Sequence, residues 1–304
     1  MSEILVVGSV AYDSITTPSG YAEFTLGGSA NYFSVAASLY SHVNVVGVVG
    51  EDYKDEDLQL LKSRDVSLEG LQQVAGKTFH WEGRYEGDMN DAITLETQLN
   101  VFEKFNPVIP DSYKKSPYVF LANIDPELQA EVLDQMEEPK LVGLDTMNFW
   151  IDSKIDSLKA ILARVDVLLI NEGEARKLAD THNTIQAVAR LGHMGPKAVV
   201  VKRGEYGFVL YTDEKFFILP AFPVRQVIDP TGAGDTFAGG FFGYLSKMNG
   251  SWSVDDLKRA CIQGVLLASY TVEDFGLGRL RQLDWAKVEK RFEEYMQVIS
   301  YPHL

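Results

Sequence analysis

The sequence predicts an α/β protein with a doubly wound, mostly parallel sheet, helices on both faces of that sheet, and a second, small β-sheet. Continuous apolar runs such as Ile4–Val7, Val43–Val49 and Val165–Ile170 indicate strands that are buried on both sides. Segments with helical periodicity follow most of these runs, and such alternation is typical of parallel sheets. Between residues 77 and 103 the alternation lapses and a period-two pattern replaces it, which predicts the small sheet.

The regular elements of the large sheet follow one another in a simple order. Before the small sheet we predict the Ile4–Val7 strand, a helix over Asn31–Tyr40, the Val43–Val49 strand and a helix over Asp55–Arg64 from which Val66 and Ser67 lead out. After it we predict strands at Tyr118–Leu121, Leu141–Leu144, Val165–Ile170 and Ala198–Val201, a hairpin of Phe208–Tyr211 with Phe216–Leu219, an extended run at Phe222–Ile228, and helices at Pro126–Met136, Ser153–Ala163, Glu172–Ala179, Thr184–Leu191, Asp235–Lys247, Val254–Tyr270 and Trp285–Tyr295.

The small sheet is predicted from alternating apolar and polar residues. Thr78–Tyr85 alternates, Glu86–Asp91 has the composition of a turn, and the period-two pattern then continues. A sheet of this size has no core of its own, so we expect its apolar face to cover a substrate, a second copy of the chain or the main body. That face is predicted to contain Phe79, Trp81, Tyr85, Ile93, Leu95 and Leu99.

Composition excludes several classes of function. The chain has 304 residues, of which 46% are hydrophobic, and this is enough for a sizeable core. Its net charge of −15 argues against nucleic acids and anionic membranes as partners, because both bind basic surfaces. No apolar run approaches the ~18 residues that a membrane span needs. With one cysteine, Cys261, and no signal-peptide pattern at the start, we expect a cytoplasmic protein.

The segment Asp229–Phe237 gives the strongest indication of function. Gly232, Ala233 and Gly234 stand where an extended run gives way to a helical pattern, so their N–H groups would lie at a helix N-terminus. Such a terminus binds anions, because its first N–H groups have no partner within the helix and the helix dipole is positive there. Asp235 would be a carboxylate inside this anion site. It could take the proton of a hydroxyl while phosphate charge develops beside it.

The residues alone also allow other interpretations of this segment. An Asp at this position is equally consistent with a helix N-cap. A dinucleotide fingerprint is excluded because Phe237 occupies the position of its third glycine, and no Walker-type phosphate loop occurs in the chain. Asp13, Asp145 and Asn171 also follow predicted strands. Ligands of open α/β sheets bind at the carboxyl ends of strands, so we expect these residues to converge on one edge.

The segment Asp229–Phe237 resembles the C-terminal signature of the ribokinase-like (PfkB) carbohydrate kinase family. Four further segments resemble other motifs of that family and occur in the family's order. They are Gly27–Ala30 with the helix at Val35–Leu39, Gly47–Asp52, Asn171–Glu174 and Val199–Gly204.

The resemblance implies one ribokinase-like kinase domain over residues 1–304, with a β-sheet lid formed mainly by about residues 14–25 and 77–103. It implies ATP-dependent phosphorylation of a primary hydroxyl of a sugar or related small polyol. Asp235 would be the general base, and Gly232, Ala233 and Gly234 would hold the phosphoryl oxygens. Lid closure would exclude water, and two lids could clasp to form a homodimer.

The resemblance also implies roles for residues on the two sides of the cleft. Substrate would be bound by Asp13, Gly27, Gly28, Asn31 and Tyr32. ATP would be bound by Asn171, Lys202, Gly204, Thr231, Gly232 and Gly234, with Mg²⁺ ordered by Glu174 and, through water, Asn171. Asp229 and Thr231 would contribute to a monovalent-cation site for K⁺. Without the resemblance, Asn171 and Glu174 are interpreted as a helix N-cap and its capping-box partner, and the two interpretations are compatible. Arg203 could join Lys202 at the phosphates or pair with Glu205 in solvent.

Two departures from the family pattern leave the acceptor open. Tyr32 stands where many members have a sugar-binding Asn, and Asn31 comes one residue earlier. The Tyr32 ring could stack on a base, cover a sugar or belong to the core. The segment Asp145–Trp150 lacks the Arg of the corresponding family stretch. The alternatives are therefore a nucleoside kinase, a hydroxymethylpyrimidine-type kinase, which the lid disfavours, and a silent sugar-binding regulator, which the intact Asp235 disfavours.

Overall fold

The computed structural model describes residues 3–248 and 252–300, and within them the strands form two sheets. The strands are β1 Glu3–Val7, β2 Ala11–Thr17, β3 Gly20–Gly27, β4 His42–Val49, β5 Val66–Gln73, β6 Phe79–Tyr85, β7 Ala92–Gln98, β8 Tyr118–Leu121, β9 Leu141–Leu144, β10 Val167–Asn171, β11 Ala198–Lys202, β12 Phe208–Thr212 and β13 Lys215–Leu219. The helices are α1 Ser29–Ala37, α2 Asp55–Ser63, α3 Pro126–Gln135, α4 Asn148–Ser153, α5 Ile155–Leu162, α6 Glu172–Leu178, α7 Thr184–Gly192, α8 Ala233–Ser246, α9 Val254–Thr271 and α10 Trp285–Ile299.

The large sheet has nine strands in the order β13-β12-β11-β10-β9-β8-β1-β4-β5. All neighbours from β11 to β5 are parallel, and β12 and β13 add an antiparallel hairpin at one edge. The carboxyl ends of β1, β8, β9, β10 and β11 therefore lie at the same edge of the sheet. This is the edge at which open α/β sheets bind ligands.

Two apolar cores, one on each face, confirm the doubly wound fold. Successive residues of β1 divide between them, since Ile4 and Val6 pack in one core and Leu5 and Val7 in the other. The first core contains residues of α1, α8, α9 and α10, and the second contains residues of α3, α5, α6 and α7. Strands buried on both faces explain the continuous apolar runs in the sequence.

The smaller sheet has four strands in the order β3-β2-β6-β7. Only β2 and β6 are parallel, and the other pairs are antiparallel. The predicted apolar face is divided between two environments. Tyr85 is buried and Phe79 stacks on Phe102 with ring centroids 5.3 Å apart, whereas Ile93, Leu95 and Leu99 are exposed.

Three sequence predictions differ from the structure. The helix predicted over Ser153–Ala163 begins at Ile155, as α5, and a short helix that the sequence did not predict, α4, precedes it. Lys154 between the two has a non-helical backbone and forms ion pairs with Asp125 and Glu127. The segment after α2 continues as strand β5, which pairs with β4.

The extended run predicted at Phe222–Ile228 forms no strand in the described part of the chain. Pro223 has no backbone N–H to give to a ladder, and the N–H of Ile228 donates instead to Val272 O at the end of α9, at 2.7 Å. Of the described helices, none combines the length and the apolar character that crossing a bilayer requires.

Candidate active site

The loop before α8 is shaped by Asp229 and by two glycines. Asp229 is fully buried, and its two carboxylate oxygens accept the N–H groups of Thr231 at 2.9 Å and Gly276 at 3.1 Å. Gly232 adopts a left-handed conformation with φ of 73° and caps α8. A Cβ on Gly232 would also lie 2.4 Å from atoms of the Tyr32 ring, so only glycine fits this position.

The first turn of α8 differs in part from the anion cradle predicted at Gly232, Ala233 and Gly234. The N–H of Ala233 donates to Pro230 O at 3.2 Å, which leaves Gly234 and Asp235 as the first-turn residues whose N–H groups can serve an anion. A Cβ on Gly234 would lie 2.9 Å from Lys202 Nζ. The ammonium group of Lys202 is therefore held directly over the backbone of the cradle.

Asp235 is partly buried at the N-terminus of α8. Burial and the negative charge of Asp145 raise the pKa of Asp235 to about 7, although the positive charge of Lys202 opposes this shift. A carboxyl group with a pKa near the operating pH is well suited to take up a proton from a hydroxyl. The structure thus places a partly buried carboxyl group in the first turn of α8, and its catalytic role stays a prediction.

On the other side of the cleft, Asp13 lies against the double-glycine turn. A Cβ on Gly27 would lie 2.0 Å from Asp13 Oδ2, and a Cβ on Gly28 would lie 2.5 Å from Ser9 O. Gly28 also has φ of 88° and caps α1. Burial, and after it the charge of Asp229, raise the pKa of Asp13 to about 8, while the N–H of Gly28 opposes the shift. The two glycines are required so that the carboxylate can lie on the turn.

Asn31 and Tyr32 support this turn from below. Asn31 is fully buried, and its side-chain N–H donates to Gly27 O at 2.7 Å. Tyr32 is 1% exposed, and its ring packs against Gly232. Of the roles weighed for the Tyr32 ring, the structure therefore places it in the core, beneath the loop that leads to α8.

Asn171 and Glu174 form a capping box at the start of α6. Asn171 Oδ1 accepts the N–H of Glu174 at 2.8 Å, and Glu174 Oε2 accepts the N–H of Asn171 at 3.1 Å. Burial and the charge of Asp145 raise the pKa of Glu174 to about 8. A buried carboxylate is a suitable oxygen ligand for Mg²⁺, which needs few protein ligands because it keeps several waters. These residues therefore fit the metal that the sequence implies.

The two adjacent cations at the end of β11 have different partners. Lys202 Nζ lies 2.9 Å from Asp145 Oδ2, whereas Arg203 Nε lies 3.0 Å from Glu172 Oε1 on α6. Pairing of Arg203 with Glu205, which the sequence left open, is absent from the ion pairs of residues 3–248 and 252–300. Gly204 has φ of 53° and begins a short 3-10 turn that ends at Tyr206.

The small sheet contacts both sides of this edge through β6 and the β6–β7 turn. Tyr85 Oη, at the end of β6, lies 3.2 Å from Thr231 Oγ1 in the loop before α8. The side-chain oxygen of Asn90 lies 2.3 Å from where a Cβ on Gly204 would be. The sheet therefore reaches from the loop before α8 to the turn that follows β11.

Asp145 and Tyr85 were not among the site residues predicted from the sequence. The position of Asp145 directly after strand β9 predicts only that it lies at this edge of the sheet. Tyr85 was assigned to the apolar face of the small sheet, and nothing in the sequence indicates that its hydroxyl reaches Thr231.

A carboxyl group at a helix N-terminus, a second buried carboxyl group and an ammonium group over the same helix turn are parts that a phosphotransferase site could use. The family model of the pfkB family carbohydrate kinases matches residues 1–282. The chain belongs to this family and is a kinase.

Individual relatives agree with this assignment. The chain is 32% identical over 254 residues to a cytidine kinase of Thermococcus kodakarensis, covering 81% of this chain and 90% of that protein. The solved nucleoside kinase of Methanocaldococcus jannaschii superposes with a TM-score of 0.77 at 24% identity, covering 97% and 99% of the two chains. A protein from Escherichia coli described as a ribokinase II, solved with ATP and Mg²⁺, superposes with a TM-score of 0.77 at 18% identity, covering 97% and 100%.

Proposed function

We propose that this protein transfers the terminal phosphoryl group of ATP to the primary hydroxyl of a nucleoside. The main structural support for kinase chemistry is the position of Asp235. Its partly buried carboxylate lies at the N-terminus of α8, beside Gly234 and Lys202. An acid in a site for anions is costly unless the reaction uses it, because burial disfavours the charged form.

In the proposed reaction, the acceptor oxygen attacks the terminal phosphorus atom of ATP. The new bond joins that oxygen to phosphorus, the bond from phosphorus to the bridging oxygen breaks, and ADP leaves with the electron pair. Asp235 takes the hydroxyl proton. The N–H groups of Gly234 and Asp235 stabilise the charge on the phosphoryl oxygens, and such preorganised donors are usually the largest catalytic contribution.

The acceptor side supports a ribosyl group. The Asp13 carboxylate over Gly27 can accept two hydrogen bonds, and a vicinal diol offers two. A free sugar and a nucleoside share that diol. The 32% identical relative named as a cytidine kinase, which matches most of both chains, favours the nucleoside.

Magnesium bound near Glu174 would neutralise phosphate charge and hold the nucleotide in position. Asn171 would contribute by fixing the Glu174 backbone through the capping box. A K⁺ site at Asp229 and Thr231, a homodimer through the lid and a cytoplasmic location stay predictions from the sequence and the resemblance.

An acceptor panel tests the proposal. We expect ADP release with Mg²⁺ and ATP to be fastest with a nucleoside, compared with ribose, deoxyribose, fructose and inositol, and mass spectrometry should find the product phosphorylated on its primary hydroxyl. The variant Asp235→Asn should keep the fold and lose about 10²–10⁴-fold in turnover, the usual contribution of a positioned base. Faster turnover of a free sugar would reject the nucleoside as acceptor. Asp235→Asn activity within threefold of wild type would reject the role of the base.

A further inference from the structure

The chain places two cations side by side in sequence, yet only one of them belongs to the cleft. Successive residues of a strand point to opposite sides, so Lys202 and Arg203 diverge where β11 ends. Arg203 is engaged by Glu172 at 3.0 Å, away from the cradle. Lys202 lies over Gly234, and its side chain is only 16% exposed.

The surroundings of Lys202 are strongly acidic. Its ammonium pairs with Asp145 at 2.9 Å and also interacts with the charges of Asp235 and Glu174. One cation thus faces three carboxyl groups. Burial alone would lower the pKa of Lys202, but these acids, Asp145 first, raise it, so the ammonium stays charged. A charged ammonium has three N–H donors, and the contact with Asp145 uses one of them.

On the basis of the proposed function, we propose that Lys202 is a further catalytic residue, whose ammonium donates to an oxygen of the transferred phosphoryl group while Asp145 keeps it in place. The position over Gly234 sets the ammonium beside the N–H groups that would hold the same phosphoryl group. As the bond from the acceptor oxygen to phosphorus forms and the bond to ADP breaks, charge on the phosphoryl oxygens is stabilised by Lys202. The proton of the hydroxyl still goes to Asp235.

A second role would explain the same position differently. Lys202 could serve only to neutralise Asp145, and its removal would then harm the site by leaving a buried charge unpaired. The two roles make different predictions for a variant that lacks both the Lys202 ammonium and the Asp145 charge. Activity should return if Lys202 only neutralises Asp145, and it should stay low if Lys202 binds the phosphoryl group.

The test compares Lys202→Met with the double variant Lys202→Met/Asp145→Asn in the full-length protein. We expect Lys202→Met to lose about 10²–10³-fold in kcat, as for removal of one oxyanion donor, with a smaller change in the KM for the acceptor. We expect the double variant to stay at the same low kcat, even if it regains the thermal stability that Lys202→Met loses. Lys197→Met is the matched control, since Lys197 forms a similar pair with Asp166 at 2.7 Å at the other end of the same strand.

Lys202→Met activity within threefold of wild type would overturn the inference, and so would recovery of wild-type kcat in the double variant. If Lys202→Met does not fold, the kcat of the double variant is compared directly with that of wild type. A low kcat in the folded double variant then supports the inference, and a wild-type kcat overturns it. Failure of the proposed function looks different, since wild-type protein would then turn over no member of the acceptor panel.

Discussion

Asp13, Glu174 and Asp235 hold their protons more tightly than ordinary acids do. Burial is the main cause in each case, and it raises the pKa to about 8 for Asp13, about 8 for Glu174 and about 7 for Asp235. Each value refers to the protein without nucleotide or metal. Binding of a cation beside these groups would favour their charged forms, so loading of the site and release of protons should be linked.

The raised pKa of Asp235 predicts how stability depends on pH. The unfolded carboxyl group titrates near 3.8 and the folded one near 7, so between these values the folded state binds more protons. Stability from this group is therefore full below the unfolded pKa and is lost as pH rises to about 7. Asp235→Asn removes this loss. We expect the variant to gain stability relative to wild type progressively from pH 4 to pH 7, each unit of pKa being worth about 1.4 kcal/mol at most.

Chemical denaturation of both proteins at several pH values measures this difference. Asp88→Asn is a control of opposite sign, because hydrogen bonds from Asn90 lower the pKa of the exposed Asp88 carboxyl. A difference between wild type and Asp235→Asn that does not change with pH would contradict the raised pKa.

At the scale of single residues, the sequence predicted the parts of the site that lie within short motifs. Asp229, Gly232 and Asp235 lie within seven residues of one another, so a single short motif predicts that they share one loop and the helix turn after it. The pair of Lys202 with Asp145 could not be predicted in this way. The two residues are 57 positions apart, and their contact depends on β9 and β11 flanking β10 in the sheet.

At the scale of elements, α8 packs closely against its neighbours. A Cβ on Gly239 would lie 2.4 Å from Phe33 O on α1, and a Cβ on Gly243 would lie 2.5 Å from the Tyr40 ring. Gly239 and Gly243 leave room for these contacts because they have no side chain. Because Asp235 is carried by α8, the fit of α8 on α1 also fixes the base relative to the acceptor turn.

The substitution Gly239→Ala tests the packing of α8. We expect it to destabilise the protein by about 1–3 kcal/mol, because the added methyl group has no space against the backbone of α1. Gly173→Ala is the matched control, since the nearest atom to its Cβ would be 3.4 Å away and alanine favours a helix. Denaturation midpoints measure both effects. Equal stability of Gly239→Ala and wild type would show that α1 and α8 can separate without cost.

Strands and helices were predicted well where apolar periodicity alone determines their position. They were predicted less well where ion pairs or contacts with distant elements determine where they begin and end. The strands β8 and β9 and the hairpin of β12 and β13 follow directly from the pattern of buried residues. The break between α4 and α5 depends on the ion pairs of Lys154 with α3 and its N-cap, which periodicity does not report. The loss of the predicted run at Phe222–Ile228 depends on a contact with the end of α9.

At the scale of the whole molecule, nucleotide binding should stabilise the fold. A ligand that binds only the folded state raises the melting temperature. We expect ATP with Mg²⁺ to raise it more than ATP with EDTA, because the buried Glu174 carboxyl group forms no close ion pair within residues 3–248 and 252–300 and could bind the metal. Glu174→Gln should lose the increment that is due to Mg²⁺. Thermal melts measure this. Glu172→Gln should keep the increment, because Glu172 is engaged by Arg203 and Arg176 instead.

The same melts can contradict the assignment of Glu174. An unchanged magnesium increment in Glu174→Gln would mean that the metal binds through other groups.

The overall architecture was easier to predict than this site, since strand–helix alternation alone gives a doubly wound sheet. The central position of β1, between β8 and β4, was not predictable, because periodicity does not specify which parallel strands are neighbours.

The strand order has a consequence for how the chain is made. From β8 to β13 the strands lie side by side in chain order, so each one emerging from the ribosome meets a neighbour that has already been synthesised. The loop before α8 is different, because Asp229 accepts the N–H of Gly276, which is synthesised 47 residues later. A nascent chain that stops before residue 276 would therefore have most of its sheet in place and still lack a finished catalytic loop.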